Sequence, residues 1–196
     1  MKKEWLRGEV FPDLDLSGQK ILIDCANGAA SEIAPRVMKA FGAEAILIHA
    51  APNGSNINLD CGATKPQVCA DEMLKHQYDA GLSLDGDADR GILCDNTGRI
   101  LDGDTILAGL GQAMSQQQEL ANNTVVATVM SNLALETYLK ESDVTLLRTQ
   151  VGDKYVAQEM RNGNHNLGGE KSGHILFGAE HGFRGDGLYT LLRVLQ

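Results

Sequence analysis

Short apolar runs alternate along the first half of the chain with segments whose apolar residues recur at helical spacing. The runs at 20–25, 45–49 and 80–84 predict buried strands. Between the first two runs, apolar residues recur every three or four positions from 33 to 41, and a second amphipathic segment spans 67–77. Strands that alternate with helices usually pair in parallel, so this order predicts a layered α/β fold.

The same pattern starts again after a predicted hairpin. A helix is predicted at 106–114, a strand at 124–129, a second helix at 133–140 and a second strand at 144–148. The order strand, Asn-containing turn, helix, strand therefore occurs twice, in pattern and not in residue identity. It predicts two similar α/β units joined near residues 100–104. The alternation of strands and helices that all α/β folds share can produce the same repeated order without a true repeat.

The composition is that of a globular, acidic protein. Of the 196 residues 43% are hydrophobic, and 26 Asp and Glu residues outnumber 17 Lys and Arg residues, which gives a formal net charge of −9. These values exclude disorder, a collagen helix, a coiled coil and a disulfide scaffold. Nucleic acid and anionic membranes are not expected partners, because unspecific binding to either requires a cationic surface. A phosphorylated ligand needs only local positive charge and stays compatible with the composition.

The cysteines and the N-terminal residues predict a cytoplasmic protein with reduced thiols. The chain contains four cysteines but no Cys-x-x-Cys pair, and none lies at ligand spacing from a histidine in the sequence. The basic residues at the start are not followed by the apolar core of a secretory leader. No run approaches the ~18 apolar residues that a membrane span requires.

The sharpest chemical signal is a run of alternating carboxylates directly after the predicted strand at 80–84. Alternate side chains of an extended segment point to the same side, so Asp85, Asp87 and Asp89 can converge. Converging carboxylates repel one another unless a cation lies between them, and hard oxygen ligands suit Mg²⁺ or Ca²⁺. Arg90 follows directly, and a fixed guanidinium beside a metal site favours a phosphate ligand.

Other interpretations of this run make different demands on its neighbours. An EF-hand loop needs glycine at its sixth position and an acid at its twelfth, where this chain has Arg90 and Asn96, so that interpretation fails. A haloacid-dehalogenase-type phosphatase would place a Thr soon after its aspartates, where Arg90 and Gly91 stand here. The purely structural alternative is an acidic turn that caps the strand and binds no ligand.

Two polar, glycine-containing segments follow in the second half of the chain. Residues 168–174, Gly-Gly-Glu-Lys-Ser-Gly-His, place a carboxylate near a hydroxyl, a combination that suits vicinal sugar hydroxyls. Residues 148–154 are predicted to lie where a strand ends and a helix begins, which is the usual ligand crevice of an α/β sheet. Each segment, taken alone, is equally compatible with an ordinary polar turn.

Taken in order, the segments 85–90, 151–156 and 168–174 resemble the α-D-phosphohexomutases, and the resemblance covers residues 18–196. The Val-Gly-Asp-x-Tyr-Val stretch at 151–156 favours the phosphoglucosamine mutase subfamily. The family has four domains around a central cleft. A phosphoserine of the first domain exchanges phosphate with a hexose phosphate through a bisphosphate. The fold that the resemblance implies is α/β, with two similar three-layer α/β/α units and mixed, mainly parallel sheets.

The resemblance also implies the roles of the residues around the acidic run. Mg²⁺ is the expected cofactor, and it neutralises charge that develops on the transferred phosphoryl group. Its implied ligands are the phosphoserine, Asp85, Asp87 and Asp89. Arg90 is implied to lie beside the phosphoserine as a catalytic residue.

In the second polar segment, Glu170 and Ser172 are implied to hold sugar hydroxyls, with His174 as a catalytic residue close to the reacting end. The family usually carries a Lys immediately before the Val-Gly-Asp turn, where this chain has Gln150. An amide carries no charge and is a poor proton donor or acceptor, so this position departs from the family. The candidates to substitute for the missing lysine are Lys154 and Lys171, and the sequence does not choose between them.

By this resemblance, residues 1–100 form the second domain, which ends in the metal-binding loop, and residues 101–196 form the third domain with the sugar-binding loop. Residues 1–15 then correspond to a linker that enters the second domain. The sequence contains no Ser-His-Asn-Pro-type loop for a phosphoserine and no Ser-Gly-Thr-type loop for the substrate phosphate. We therefore expect a fragment whose partners are a hexosamine phosphate and the first and fourth domains of the same enzyme, inactive alone.

Three alternatives to this function stay open at the level of sequence. Phosphomannomutase and phosphoglucomutase share the same metal and sugar motifs, so the fragment could derive from either. A non-catalytic module that binds sugar phosphate or metal would keep the same residues. A metal-dependent phosphatase would use Asp85 as its nucleophile.

Overall fold

The computed structural model describes residues 2–196, with side chains from Glu4 onward, and these residues fold into two compact units. Unit 1 consists of the residues up to 100 together with 187–196, and unit 2 consists of residues 101–186. The sequence-based division assigns 187–196 to the third domain, together with residues 101–186. The structure packs this segment with the first unit instead, because the apolar side of its helix covers that unit's sheet.

The elements alternate along the chain in the predicted way. The strands are β1 (Lys20–Asp24), β2 (Glu44–Ile48), β3 (Ala80–Leu84), β4 (Gly91–Asp95), β5 (Ile100–Leu101), β6 (Thr124–Thr128), β7 (Thr145–Thr149), β8 (Leu167–Gly169) and β9 (Ile175–Phe177). The α-helices are α1 (Lys2–Trp5), α2 (Ala30–Ala40), α3 (Gln67–Met73), α4 (Gly103–Gln116), α5 (Leu133–Glu141), α6 (Asp153–Gly163) and α7 (Gly187–Leu195). Shorter helical turns lie at Leu6–Val10, Gly62–Thr64, Ala121–Asn123 and Ala179–His181.

Unit 1 is built on a sheet with the strand order β2-β1-β3-β4-β5. β1 pairs in parallel with β2 and with β3, whereas β3 pairs antiparallel with β4. The strand β1 is fully buried from Ile21 to Asp24, which accounts for its continuous apolar run. The carboxyl ends of three parallel strands therefore lie along one edge of this sheet.

Helices cover both faces of the sheet in unit 1. On the face that carries Leu22, α3 packs through Met73. On the other face lie α2 and α7, and the ring of Phe11 contacts both Phe41 at the end of α2 and Tyr189 of α7. The unit is thus a three-layer α/β/α structure, as expected from the sequence.

The segment before β1 is packed rather than extended. The side chains of Leu6, Phe11 and Leu16 are buried in unit 1. The Arg7 guanidinium donates to the carbonyl oxygen of Leu14 over 2.6 Å and so closes this segment on itself. The described part of residues 1–15 is therefore integral to the core of unit 1, and the expectation of a linker is wrong there.

Unit 2 repeats the plan of unit 1 on a sheet with the strand order β7-β6-β8-β9. β6 pairs in parallel with β7 and β8, and β8 pairs antiparallel with β9. On the face of Val125, α4 and α5 pack around Gly111, where an added Cβ would meet Leu139. On the face of Val126, α6 packs through Met160. The order and sense of the strands match those of β2-β1-β3-β4.

The four cysteines are free thiols, and all are buried within unit 1. In the part of the chain that the structure describes, no helix has both the length and the apolar character to cross a bilayer.

Candidate functional site

The acidic loop lies at the carboxyl edge of the sheet in unit 1. Residues 85–90 connect β3 to β4, and β3 is flanked by β1 on one side and by β4 on the other. The apolar run of β3 buries the strand, and the chain then reverses within six residues into the antiparallel β4. The loop is thereby fixed at both of its ends by strands of the same sheet.

The three aspartates of this loop converge as the alternation predicts. One carboxylate oxygen from each of Asp85, Asp87 and Asp89 lies within 4.8 Å of the others. Asp85 is only 6% exposed, whereas the side chain of Asp87 is open to solvent. A donor set of three carboxylates, one of them buried, fits a hard divalent cation that retains some of its water.

Arg90 lies directly against the carboxylates. Its backbone N–H donates to Oδ1 of Asp85 over 3.1 Å, and its Nε lies 3.4 Å from Oδ2 of Asp85 and 3.8 Å from Oδ1 of Asp89. Burial raises the pKa of the Asp85 carboxyl, and the neighbouring Asp89 and Asp87 raise that pKa further. The hydrogen bond from the Arg90 backbone acts in the opposite direction. The cluster therefore carries an excess of negative charge that a cation would relieve.

The backbone of the acidic loop is held by a close approach to the loop after β1. The N–H of Ala29 donates to the carbonyl oxygen of Gly86 over 2.8 Å, and a Cβ at Gly28 would overlap that oxygen. A Cβ at Gly86 would in turn meet the side chain of Ile57. Ala88 has a φ of +64°, which turns the chain back toward β4. These contacts fix the path from which the three carboxylates project.

Asp24 is a structural residue that reasoning from the sequence missed. It is fully buried at the end of β1, its Oδ1 accepts from the N–H of Ala26, and its Oδ2 accepts from the N–H of Gly62, each over 2.9 Å. These bonds join the loops after β1 and β2. A single carboxylate at the end of an otherwise apolar strand is the signal that could have found it.

The loop at residues 170–174 of unit 2, called here the glycine-rich loop, occupies the position that is topologically equivalent to the acidic loop. It connects β8 to β9, just as the acidic loop connects β3 to β4. The Glu170 N–H donates to the carbonyl oxygen of His174, and the Gly173 N–H donates to that of Glu170, both over 3.0 Å. The side chain of Ser172 is exposed, and that of His174 is buried. The two chemical segments are therefore the same loop in the two repeats.

Glu170 brings the second and third sequence segments together. Its Oε1 accepts from the N–H of Gly152 over 3.0 Å, directly before α6 begins at Asp153. Gly152 has a φ of +127°, a conformation that residues with a side chain rarely adopt. The carboxylate thus lies at the N-terminus of a helix, where the helix dipole favours negative charge. The Val-Gly-Asp turn and the glycine-rich loop form one structure within unit 2.

The residues suggested as replacements for the missing lysine have different surroundings. Gln150 is exposed directly after β7. The Lys154 ammonium lies 4.7 Å from the ring centroid of Tyr155, and the Lys171 ammonium lies 3.9 Å from Oδ2 of Asp102. The backbone carbonyl oxygen of Lys171 accepts from the N–H of Gly103 at the start of α4. This hydrogen bond attaches the glycine-rich loop, of which Lys171 is part, to that helix.

Two sequence profiles of one family match the chain. They are described as phosphoglucomutase/phosphomannomutase alpha/beta/alpha domain II, over residues 10–98, and alpha/beta/alpha domain III, over residues 102–196. A phosphoglucosamine mutase of Nitratidesulfovibrio vulgaris is 49% identical over 192 residues, which are 98% of this chain and 42% of that protein. A phosphoglucosamine mutase of Citrifermentans bemidjiense is 50% identical over 186 residues, 94% of this chain and 41% of that protein. The chain spans about two fifths of the length of these relatives.

Solved structures share the fold. A phosphoglucomutase/phosphomannomutase family protein of Burkholderia thailandensis matches with a TM-score of 0.84 and 25% identity, over 99% of this chain and 42% of that one. Aspergillus fumigatus N-acetylphosphoglucosamine mutase, in complex with GlcNAc-6P and magnesium, matches with a TM-score of 0.69 and 20% identity, over 91% of this chain and 46% of that one. The second likeness shows the fold alone. The two matched profiles and the repeated α/β/α architecture show that the chain belongs to the phosphoglucomutase/phosphomannomutase family of α-D-phosphohexomutases, of which it contains domains II and III.

Proposed function

We propose that this chain supplies the metal-binding and sugar-binding loops of a phosphoglucosamine mutase, which interconverts glucosamine 6-phosphate and glucosamine 1-phosphate. The observation that carries the proposal is the convergence of three aspartates against Arg90, in a chain about 50% identical to proteins of that name. A bound cation neutralises charge on a phosphoryl group in transfer.

Asp85, Asp87 and Asp89 are the residues that would hold Mg²⁺. Their donor set is made of oxygen alone, which favours Mg²⁺ over softer metals. A magnesium complex of a structural relative is consistent with this choice. Arg90 remains half exposed beside the carboxylates, so its guanidinium is free to bind a phosphate on the solvent side.

In unit 2 the residues of the glycine-rich loop are proposed to bind the sugar. Glu170 accepts one backbone hydrogen bond and keeps further lone pairs for sugar hydroxyls, while the exposed Ser172 hydroxyl both donates and accepts. His174 is proposed to lie near the reacting end. The sugar assignment to a hexosamine phosphate rests on the names of the relatives.

The metal part of the proposal is tested by paramagnetic broadening. Mn²⁺ added to the isotope-labelled chain is expected to broaden the amide resonances of residues 85–90 before any others, because three carboxylates converge at this loop. Asp87→Ala should abolish this broadening, and Asp13→Ala, which removes an exposed carboxylate elsewhere in unit 1, should leave it unchanged. Equal broadening in the wild-type chain and the Asp87→Ala variant would exclude a metal site at this loop.

The catalytic part is tested in a chimera. We propose that the chain, as a fragment that lacks a phosphoserine loop, has no mutase activity alone. When it replaces the matching two fifths of the Citrifermentans bemidjiense relative, the chimera is expected to convert glucosamine 6-phosphate, and Asp87→Ala in the chimera should abolish conversion.

Three outcomes would contradict separate parts of this proposal. A chimera that prefers mannose or glucose phosphate would overturn the sugar assignment. Turnover by the isolated chain above its Asp87→Ala variant would overturn the inactivity. Phosphate release from a simple ester, lost in Asp85→Asn, would instead support a phosphatase.

A further inference from the structure

A second cluster of metal-ligating side chains lies in unit 1, formed by residues that the acidic loop does not include. Asp24 ends β1, His49 follows β2, and Cys61 precedes the helical turn Gly62–Thr64. Three separate chain segments thus contribute one potential ligand each. Because the residues are distant in sequence, no spacing pattern marks this cluster.

The ligand atoms of the cluster are close enough to share one ion. One atom each from Asp24, His49 and Cys61 lies within 4.8 Å of the others, and Nδ1 of His49 is 3.1 Å from Oδ2 of Asp24. In a tetrahedral zinc site neighbouring ligand atoms are roughly 3.3–3.6 Å apart, given the usual metal–ligand distances. Small side-chain rotations therefore suffice to complete the site.

Burial separates this cluster from an ordinary polar patch. Asp24 and Cys61 are fully buried, and the side chain of His49 is 35% exposed. Within the described part of the chain, Nδ1 of His49 is shielded from solvent and makes no hydrogen bond of acceptable geometry, although Asp24 is near. A buried nitrogen without a hydrogen bond, close to a buried carboxylate and a buried thiol, is an arrangement that a cation between the three would satisfy.

Hydrogen bonds from the surrounding residues hold the candidate ligands of the cluster in place. The Asp24 oxygens accept from the N–H groups of Ala26 and Gly62, which orients the carboxylate and leaves one lone pair free on each oxygen. The Asn27 side-chain amide lies 4.0 Å from the Cys61 sulfur as a donor. Such outer hydrogen bonds hold metal ligands in place.

From this geometry we propose that Asp24, His49 and Cys61 form a Zn²⁺ site, separate from the three aspartates of the acidic loop. One thiolate, one imidazole and one carboxylate are the mixed S, N and O ligands that Zn²⁺ accepts, with a water in the fourth position. On binding, the S–H bond of Cys61 breaks, the sulfur bonds the metal and the proton passes to solvent. The neutral His49 ring contributes the lone pair of Nδ1.

The site would tie together the loops that support the acidic loop. The N–H of Asn58, in the segment between His49 and Cys61, donates to the carbonyl oxygen of Ala26 over 2.9 Å. The same segment packs on Gly86 through Ile57. A metal held at both ends of this segment would restrict the loop and stabilise unit 1.

Cobalt(II) titration of the reduced full chain tests the proposal, because cobalt–thiolate ligation gives a charge-transfer absorption that oxygen ligands do not. We expect one equivalent of Co²⁺ to produce this band and one equivalent of Zn²⁺ to displace it. Cys61→Ala should abolish the band. His49→Asn, which tolerates the φ of +46° at this position, should weaken Co²⁺ binding at least tenfold.

Two matched controls define the outcomes. Cys69→Ala removes a buried thiol outside the cluster, and Asp87→Ala removes a ligand of the acidic loop; both should leave the band intact. Absence of the band in the wild-type chain, or its persistence in Cys61→Ala, would overturn the proposal. Should Cys61→Ala fail to fold, an unchanged affinity in a folded His49→Asn variant overturns it equally.

Discussion

The carbonyl oxygen of Gly86 lies where a side chain on residue 28 would have to be, and this close approach is one of the contacts that fix the acidic loop. We expect Gly28→Ala to lower the free energy of unfolding by about 2–3 kcal/mol, because the added methyl group must push the two loops apart. The same displacement should weaken Mn²⁺ binding at residues 85–90. Urea unfolding and the broadening assay measure the two effects.

Gly109→Ala is the matched control for this substitution. Gly109 lies within α4, and an added Cβ would meet nothing within 4 Å. Alanine is a better helix former than glycine, so this variant should be up to about 1 kcal/mol more stable than the wild-type chain. Equal stability of the two variants would show that the approach of Gly28 to Gly86 is not tight.

The buried thiols predict how stability depends on alkaline pH. Burial raises the pKa of Cys25 and of Cys69 from 9.0 to about 12. Both thiols are therefore protonated in the folded chain between pH 9 and 12, where the unfolded chain loses those protons. The stabilisation is complete below pH 9 and is lost as the pH rises toward 12, by about 1.4 kcal/mol per pH unit for each thiol.

The measurement for this prediction is the slope of the unfolding free energy against pH. Cys25→Ala/Cys69→Ala should show a shallower alkaline decline than the wild-type chain, whatever its stability at neutral pH. Thiol reagents should label neither cysteine at neutral pH unless the chain unfolds. Rapid labelling of the native chain, or identical slopes, would contradict burial of these thiols.

The residues of the candidate site differ in how visible they are from the sequence. The triad of Asp85, Asp87 and Asp89 is predictable because alternation in a short segment is a local property. The bond between Glu170 and Gly152 joins residues far apart in the chain, so only the folded structure reveals it. The individual roles of the site residues stay predictions.

At the scale of elements, the apolar runs were the most reliable signal. The strand bounds at 80–84 agree with the prediction, because this strand lies inside the sheet and is buried from Gly81 to Leu84. The sequence does not predict the strand β8, since Leu-Gly-Gly has little intrinsic preference for a strand and is held there by β6 and β9. The sheet on which a helix packs is harder still to predict from the sequence, because an apolar helix face does not specify which sheet it covers.

The helix α7 carries a prediction about that partner. Leu191 is fully buried in unit 1, while Val194 on the same helix is 39% exposed. We expect Leu191→Ala to lower the unfolding free energy by about 2–5 kcal/mol, because it leaves a cavity against the sheet. Val194→Ala should change it by less than about 0.5 kcal/mol.

Hydrogen exchange identifies where the loss falls. In Leu191→Ala the amides of β3 and β4 should exchange faster, since α7 packs on these strands. The amides of β6 and β8 in unit 2 belong to the other sheet and should be affected less. Faster exchange confined to unit 2 would show that the helix belongs with the second sheet.

At the scale of the whole molecule, the order of segments along the chain differs from their grouping into the two folded units. The family profile for domain III extends to residue 196, but the segment 187–196 completes the unit that contains the acidic loop. The chain therefore leaves unit 1 near residue 100 and returns to it after residue 186. Sequence resemblance divides the chain by its repeats, whereas packing divides it by which sheet each helix covers.

This arrangement predicts which parts of the chain fold alone. Residues 1–100 lack α7 and should not form a stable unit, because the face of β3 and β4 that α7 covers would be exposed. A flexible linker of about eight Gly and Ser residues between residue 100 and residue 187 would restore α7 to this shortened chain. We expect the joined chain to unfold cooperatively in urea and to bind Mn²⁺ at residues 85–90.

The two shortened chains differ only by the linker and the segment 187–196, so the comparison isolates the contribution of α7. Leu191→Ala in the joined chain should reduce its stability as it does in the full chain, which excludes an unspecific effect of added length. Cooperative unfolding of residues 1–100 alone would contradict the assignment of α7 to this unit. Failure of the joined chain to fold, with the full chain stable, would show that unit 1 requires unit 2 as well as its own last helix.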